Sequence, residues 1–287
     1  MRTPKRLSPR LLPPHVLSCL FKLKARRPLI VKVCILASSS SGNCTFIATS
    51  RARILVDAGL SKRETQARLS AIGESLDSVD AILVSHEHSD HVCGLGAVTR
   101  HRDSGIPIYM TSLTARAIDW NDYTPPLESF QAGSSFHIGD IEIDSFTIPH
   151  DACDPVGFCF RAGGIKIGVV TDLGYLTDSV KYQLRGTDML VLESNHDLEM
   201  LKVGPYPWPV KQRVMGRRGH LSNEVVGAFL RDELDMRTTT LVLGHLSEHN
   251  NHPEIVRLVA SQALEGRSLF TRLVIAEPGR QSEVFEY

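Results

Sequence analysis

Hydrophobic and polar positions alternate along this chain in short blocks, each apolar run closed by glycine or by a knot of polar side chains. The first half predicts strands at KVCILAS (32–38), CTFIATS (44–50) and ARILVDAG (52–59), the first convincing one opening at Val31. A helix is expected over Lys62–Ile72, where Ser61 stands at the N-cap and Glu64 follows at capping-box spacing. Next come the strand DAILVSH (80–86), a helix from about Val92 to Arg102, a short strand PIYM (107–110) and a helical stretch Ser112–Asp119.

The second half repeats this grammar. FHIGDIEIDSFTIPH (136–150) alternates as half-buried strands do, and GFCFRAGGIKIGVVTD (157–172) reads as a hairpin with Gly163-Gly164 at or beside the turn. DMLVLES (188–194) and TTTLVLGH (238–245) are expected as buried strands that end in polar residues. A helix is expected over Asn223–Glu233, and RLVIAE with SEVFEY closes the chain. A doubly wound parallel sheet is the simplest alternative, but the hairpins favour mixed sheets covered by helices. No linker interrupts residues 31–287, which are expected to form one α/β (α+β) domain.

At 287 residues and 42% hydrophobic content the chain can bury a substantial core. No run of about 18 uncharged apolar residues exists, so no membrane span is expected. The zero formal net charge hides an asymmetry. Nine of the 32 Lys and Arg lie in residues 1–32, which contain no acid; the other 23 face 32 Asp and Glu, a net of −9. Residues 1–30 are therefore read as a basic, non-structural extension, with an organelle transit peptide or an upstream start codon as the alternatives. The six cysteines (Cys19, Cys34, Cys44, Cys93, Cys153, Cys159) form no CxxC pair, which reads as reduced thiols in a cytoplasmic protein. Cys34, Cys44 and Cys159 sit in apolar runs as small core residues.

The chemistry concentrates in HEHSDH, His86 to His91, immediately after the apolar run Ala81–Val84. On extended backbone His86 and His88 point to one side, and Asp90 and His91 follow where the chain turns into a helix. Neutral imidazole and carboxylate are ligands for borderline and harder divalent metals. Histidines also gather by chance on polar loops, but this spacing at a strand end points to a metal site.

HEHSDH resembles the signature of the metallo-β-lactamase superfamily. The resemblance implies a four-layer αββα sandwich with metals at the strand ends between the two sheets. It implies further ligands after later strands, and FTIPHDA supplies His150, GVVTDLG supplies Asp172, and LVLGHLSEHN supplies His245. His86, His88 and His150 would hold one metal and Asp90, His91 and His245 the second, with Asp172 between them. Asp57, in ILVDAG, matches an aspartate that supports a ligand histidine in that family. A redox branch has glutamate where His88 stands, so an oxygen-reducing di-iron site is disfavoured.

Further stretches, ASSSSGNC, ESNHDLEML, GPYP, RGHLSNE and GHLSEHN, resemble the YycJ/WalJ group, metal-dependent nucleases that degrade DNA from a 5′ end. The likeness spans about Val33 to the C-terminus. The implied cofactors are two divalent ions, Zn²⁺ first and Mn²⁺ as the alternative. Such a pair, about 3.5–4 Å apart, lowers the pKa of a bound water and stabilises attacking and leaving oxygens of a phosphodiester. Asp90 is expected to orient that nucleophile or take its proton. His220 resembles a histidine of tRNA-processing nucleases that works with a glutamate, here Glu193; it is expected to contact the scissile phosphate or protonate the leaving oxygen. Ser41 and Asn43, in the turn between the first two strands, are candidate phosphate contacts, against an ordinary hairpin turn. His196 stays open between substrate contact and loop hydrogen bonding.

Lys211, Arg213, Arg217 and Arg218 form a basic run beside Tyr206 and Trp208, a combination that suits a single nucleic-acid strand, although a charge run is also an ordinary solvated face. The acidic body counts against a nuclease. The competing readings are a small-molecule hydrolase of a thioester, lactone or cyclic phosphodiester, and a metal-binding scaffold without turnover.

Overall fold

The computed structural model describes residues 30–121, 123–265, 267 and 270–287. The basic extension expected over residues 1–30 lies, apart from Ile30, outside the described residues, as does Cys19.

Two seven-stranded sheets face each other. The first holds β1 (Lys32–Ala37), β2 (Cys44–Ala48), β3 (Arg53–Val56), β4 (Ala81–Leu83), β5 (Ile108–Thr111), β6 (Leu127–Phe130) and β14 (Phe285–Glu286), in the order β14-β1-β2-β3-β4-β5-β6. The second holds β7 (Ser135–Ile138), β8 (Ile141–Thr147), β9 (Val156–Ala162), β10 (Ile165–Val170), β11 (Met189–Glu193), β12 (Thr240–Gly244) and β13 (Arg272–Ile275), in the order β13-β12-β11-β10-β9-β8-β7. In both, antiparallel pairings give way to parallel ones: β1-β2-β3 then β4-β5-β6, and β8-β9-β10 then β11-β12-β13. The repeated grammar of the sequence is thus a repeated topology, mixed rather than purely parallel.

Successive strand residues face opposite sides, which divides the core into layers. Val33, Ile35, Ile54 and Val56 of the first sheet meet Phe158, Phe160, Val191 and Val242 of the second in the central layer. Their neighbours Cys34, Leu36, Phe46 and Leu55 face an outer cluster with Leu69 and Val98. On the opposite flank, Leu190, Leu192, Leu241 and Leu243 pack on Val180, Val226, Phe229 and Ala260. These outer partners belong to helices α1 (Lys62–Ala71), α3 (Leu95–Thr99), α5 (Asp178–Leu184), α8 (Asn223–Asp232) and α9 (Pro253–Leu264), which complete an αββα sandwich. The remaining helices are α2 (Ser89–Val92), α4 (Ser112–Ala117), α6 (Leu198–Val203) and α7 (Trp208–Val214).

The Gly163-Gly164 hairpin forms as expected: both glycines take positive φ (59° and 84°) and Ala162 pairs with Ile165. Ser61 caps α1, its side chain accepting from Glu64 N. The helix expected from Val92 to Arg102 differs. It begins at Ser89, breaks at Cys93-Gly94 and ends at Thr99. Gly94 packs against the segment after β3: its N–H donates to Ala58 O at 2.9 Å, and a Cβ there would lie 1.7 Å from Leu60 O. That approach fixes the segment carrying His88, Asp90 and His91 onto the end of β3.

Candidate metal centre and active-site cleft

The candidate ligands come from the C-terminal ends of strands that meet at one edge of the sandwich. Asp57 follows β3, His86 follows β4, His150 follows β8, Asp172 follows β10 and His245 follows β12, while α2 carries Asp90 and His91 with His88 at its N-cap. Asp57, Asp172 and His245 have φ of 63°, 60° and 53°. A side chain in that left-handed region costs about 1–3 kcal/mol and persists where the surroundings over-determine it. All three side chains are almost fully buried.

Hydrogen bonds behind four of the imidazoles, those of His86, His91, His150 and His245, orient the nitrogen that each presents. Asp57 accepts from Ser85 N at 2.8 Å through Oδ1 and from the Ser85 hydroxyl at 3.0 Å through Oδ2. That hydroxyl has spent its proton on Asp57, so it accepts from His86 Nδ1, 3.0 Å away, and Nε2 of His86 is left bare. Asp57 Oδ2 also lies 2.8 Å from His91 Nδ1, which leaves His91 Nε2 facing inward. His150 Nδ1 donates to Gly219 O at 3.2 Å, and its Nε2 lies 3.2 Å from His88 Nδ1. His245 Nδ1 lies 3.3 Å from Glu193 Oε2, with Nε2 aimed at Asp90 and Asp172 at 3.4 and 3.3 Å. This second tier of partners is what metal-binding histidines require.

The structure therefore brings together all seven expected ligands. His86, His88 and His150 form one cluster, and Asp90, His91, Asp172 and His245 a second, with ligand atoms within 4.8 Å of one another in each. His86 Nε2 and Asp172 Oδ2 are buried and make no hydrogen bond among the described residues. Buried polar atoms are almost always paired, so orphans at the focus of such a donor set fit a bound cation. The electrostatics divide the two clusters. Burial pushes His86 and His150 below the ordinary imidazole range, toward the neutral form a metal needs. At His91 and His245 burial acts the same way, but it is outweighed: Asp172 and Asp57 raise His91 well above its ordinary value, and Asp172, Asp90 and Glu193 raise His245 to about 10. Burial opposes ionisation of Asp172 too, and His245 and His91 outweigh it, holding this carboxyl well below the usual range.

Glu193, the last residue of β11, is fully buried at 0% exposure. Its Oε1 accepts from Leu173 N at 2.8 Å and Leu221 N at 2.9 Å. Its Oε2 lies 3.0 Å from His220 Nδ1 and 3.3 Å from His245 Nδ1. Despite the cost of burial, His220 and these hydrogen bonds bring its pKa down to about 2. One carboxylate thus contacts both His220 and the candidate ligand His245, and the second of these contacts was not disclosed by the sequence. His220 remains partly open, and its ring centre lies 5.1 Å from that of His150 and 5.3 Å from that of His245.

These side chains floor a cleft of about 380 Å³ that His88, Asp90, Asp172, His220 and His245 share with Tyr206 and Arg213. Ser40, Asn195, Ser247 and Asn250 also line it. Ser40 belongs to the serine turn expected to cradle a phosphate, whereas sequence reasoning gave Asn195, Ser247 and Asn250 no role, although they lie in the stretches ESNHDLEML and GHLSEHN that carried the family resemblance.

The structure corrects three candidate substrate contacts, Lys211, Ser41 and Asn43, and places His196, whose role the sequence leaves open, outside the cleft lining. Lys211 is only 8% exposed and its Nζ donates to Lys202 O at 2.7 Å, so it ties α7 to the end of α6. Ser41 is exposed outside the cleft lining and donates to Glu248 Oε1 at 2.6 Å, whereas its neighbour Ser40 lines the cleft. Asn43 is buried, and its amide nitrogen lies 3.1 Å from both Asp90 Oδ2 and His91 Nε2. It braces the β1–β2 turn against α2. His196 is buried outside the cleft lining, with Nδ1 lacking a hydrogen bond among the described residues and a pKa lowered to about 4 by burial. Arg213 does line the cleft, ion-paired to Asp151.

Residues 52–246 match the family model described as a β-lactamase superfamily domain, and the chain belongs to that superfamily, in the YycJ/WalJ branch. Its relatives include exodeoxyribonuclease YycJ of Bacillus anthracis, 38% identical over 80% of this chain and 88% of that one. Exodeoxyribonuclease WalJ of Streptococcus pneumoniae is also 38% identical, over 79% of this chain and 86% of its own. Among solved structures, the metallo-β-lactamase fold protein YhfI from Bacillus subtilis superposes with a TM-score of 0.69 at 19% identity, covering 90% of this chain and 100% of that one; it shows the shared fold. No helix of the described residues is long and apolar enough to cross a membrane.

Proposed function

We propose that this protein is a dinuclear metal-dependent exonuclease that hydrolyses phosphodiester bonds of DNA from a 5′ end. The observation that carries the reading is the Glu193 carboxylate shared between His220 and His245. It joins a proton-handling imidazole to the donor set in a family whose relatives of 38% identity are named exodeoxyribonucleases. The 5′ polarity rests on the YycJ/WalJ resemblance alone.

His86, His88 and His150 would hold one cation and Asp90, His91 and His245 the other, with Asp172 shared. Zinc suits the histidine-rich set, and manganese is the alternative that the carboxylates allow. Bound, the cations would acidify water and offset the charge of the phosphodiester. The protein's own side chains do the rest. The Asp90 carboxylate lies at the cleft floor, where it orients the attacking water and accepts its proton. His220 donates its Nδ1–H to Glu193 in a hydrogen bond that fixes the ring, and Nε2 delivers a proton to the leaving oxygen. Such acid catalysis contributes about 10²–10⁴-fold to rate. We place the protein in the cytoplasm, since Cys34, Cys44, Cys93, Cys153 and Cys159 are all free thiols.

The test uses the purified protein with Mn²⁺ or Zn²⁺ and DNA labelled at the 5′ or 3′ end, single- and double-stranded. Early release of the 5′ label as mononucleotide is expected. No cleavage of any DNA, together with turnover of a lactone or thioester, would reverse the assignment.

A further inference from the structure

A second cavity, of about 590 Å³, opens on another flank of His150. It is walled by continuations of the loops that carry the candidate centre. One wall runs on from His150 through Cys153, a second follows Asp172 through Tyr175 and Thr177, and a third holds Arg217 and Arg218 just ahead of His220. These walls are stitched together. Gly174 N donates to Pro149 O at 2.8 Å, and His150 Nδ1 bonds Gly219 O at 3.2 Å. Gly174 is required by this packing, because a Cβ there would lie 2.3 Å from the Arg217 carbonyl carbon. The Arg217 guanidinium lies over the Tyr175 ring, 4.3 Å from its centroid.

Arg213, earlier in the same basic run, is neutralised by Asp151. Arg217 and Arg218, by contrast, make no ion pair among the described residues, and Asp154 is the sole carboxylate in the cavity lining. Two exposed guanidiniums, one lying over an aromatic ring, thus sit beside the candidate centre in an otherwise acidic body. Guanidinium forks match phosphate oxygens, and their planes accept stacked bases.

From this placement we infer that the cavity is a strand-binding subsite in which Arg217 and Arg218 grip backbone phosphates of the DNA strand next to the scissile bond. The inference rests on the nuclease reading of the adjacent centre and assigns these arginines to positioning the substrate. The basic run is therefore divided: Lys211 stabilises the fold, Arg213 borders the cleft, and Arg217 and Arg218 hold the polymer.

The test is the double variant R217A/R218A, with unchanged metal content and melting temperature as the check on folding. KM for a single-stranded 20-mer should rise about tenfold or more, from the loss of charged hydrogen bonds, while kcat moves little. The penalty should shrink on a dinucleotide too short to reach the cavity. Binding of a labelled 20-mer, measured by anisotropy in the turnover-deficient H220A background, should weaken, and its log–log salt slope should fall by about 1.4, two contacts at about 0.7 each. R217K/R218K should recover most of the salt slope. An unchanged KM, affinity and salt slope in R217A/R218A would overturn the inference. A wild type that binds the strand through these arginines but cuts no DNA would instead remove the nuclease reading and leave the binding surface standing.

Discussion

Replacing Glu193 with glutamine changes one oxygen for an amide nitrogen and leaves the shape of a fully buried side chain intact. The structure determines which way the amide must sit. Leu173 N and Leu221 N both donate to Oε1, so the amide oxygen has to stay there; the reverse orientation would set an NH₂ group against two N–H donors. The new NH₂ then faces Nδ1 of His220 and of His245 and can only donate. Each neutral ring must move its proton to Nε2, the atom that His245 aims at Asp90 and Asp172. Losing the partner behind a ligand histidine costs about 10–100-fold in metal affinity. The two hydrogen bonds to a charged acceptor are worth about 1.5–3 kcal/mol each. With His220 unable to hold its catalytic tautomer, turnover at saturating metal should fall by about 10²–10⁴. Stability should change much less, because E193Q also removes the desolvation cost of a buried charge. Calorimetric metal titration and single-turnover cleavage of 5′-labelled DNA provide the measurements. E193Q with wild-type metal affinity and wild-type turnover would refute the shared-carboxylate scheme.

The other predictions separate roles that neighbouring residues would otherwise share. H220A should lower turnover by about 10²–10³ while keeping full metal content, since His220 is expected to handle a proton rather than bind a cation; loss of metal would make it a ligand. K211A should lower the melting temperature by a few degrees, about 1 kcal/mol for the lost bond to Lys202 O, and leave the salt dependence of DNA binding unchanged. A reduced salt slope in K211A would return that residue to the substrate interface.

Much of the site was legible because its signals are local. HEHSDH packs four donors into six residues after an apolar run, and His150, Asp172 and His245 each stand just beyond a strand whose hydrophobic pattern is plain. Mixed sheets covered by helices were legible from the hairpin at Gly163-Gly164 and from the repeated order of strands, while the two-sheet sandwich came from the family resemblance. What escaped depends on contacts distant in sequence. Lys211 looks like a free cation until α7 is seen lying against the end of α6. Gly94 sits inside a helical pattern, and only the passage of Leu60 beside it breaks the helix. Asn43 reads as a turn residue, yet it reaches across 48 positions to His91. Glu193 was expected beside His220, and the structure places them 3.0 Å apart, but its second partner, His245, lies 52 residues away and left no local signal.

The central claim is that seven side chains from both halves of the sandwich hold two divalent cations that activate hydrolysis. Its most direct test is elemental analysis of the purified protein after exhaustive dialysis, paired with the same analysis of H86A and H245A. Two equivalents of zinc or manganese per chain are predicted for the wild type, with each variant losing metal and DNA hydrolysis together. Substoichiometric metal in an active wild type, or full metal retention in both variants, would contradict the account.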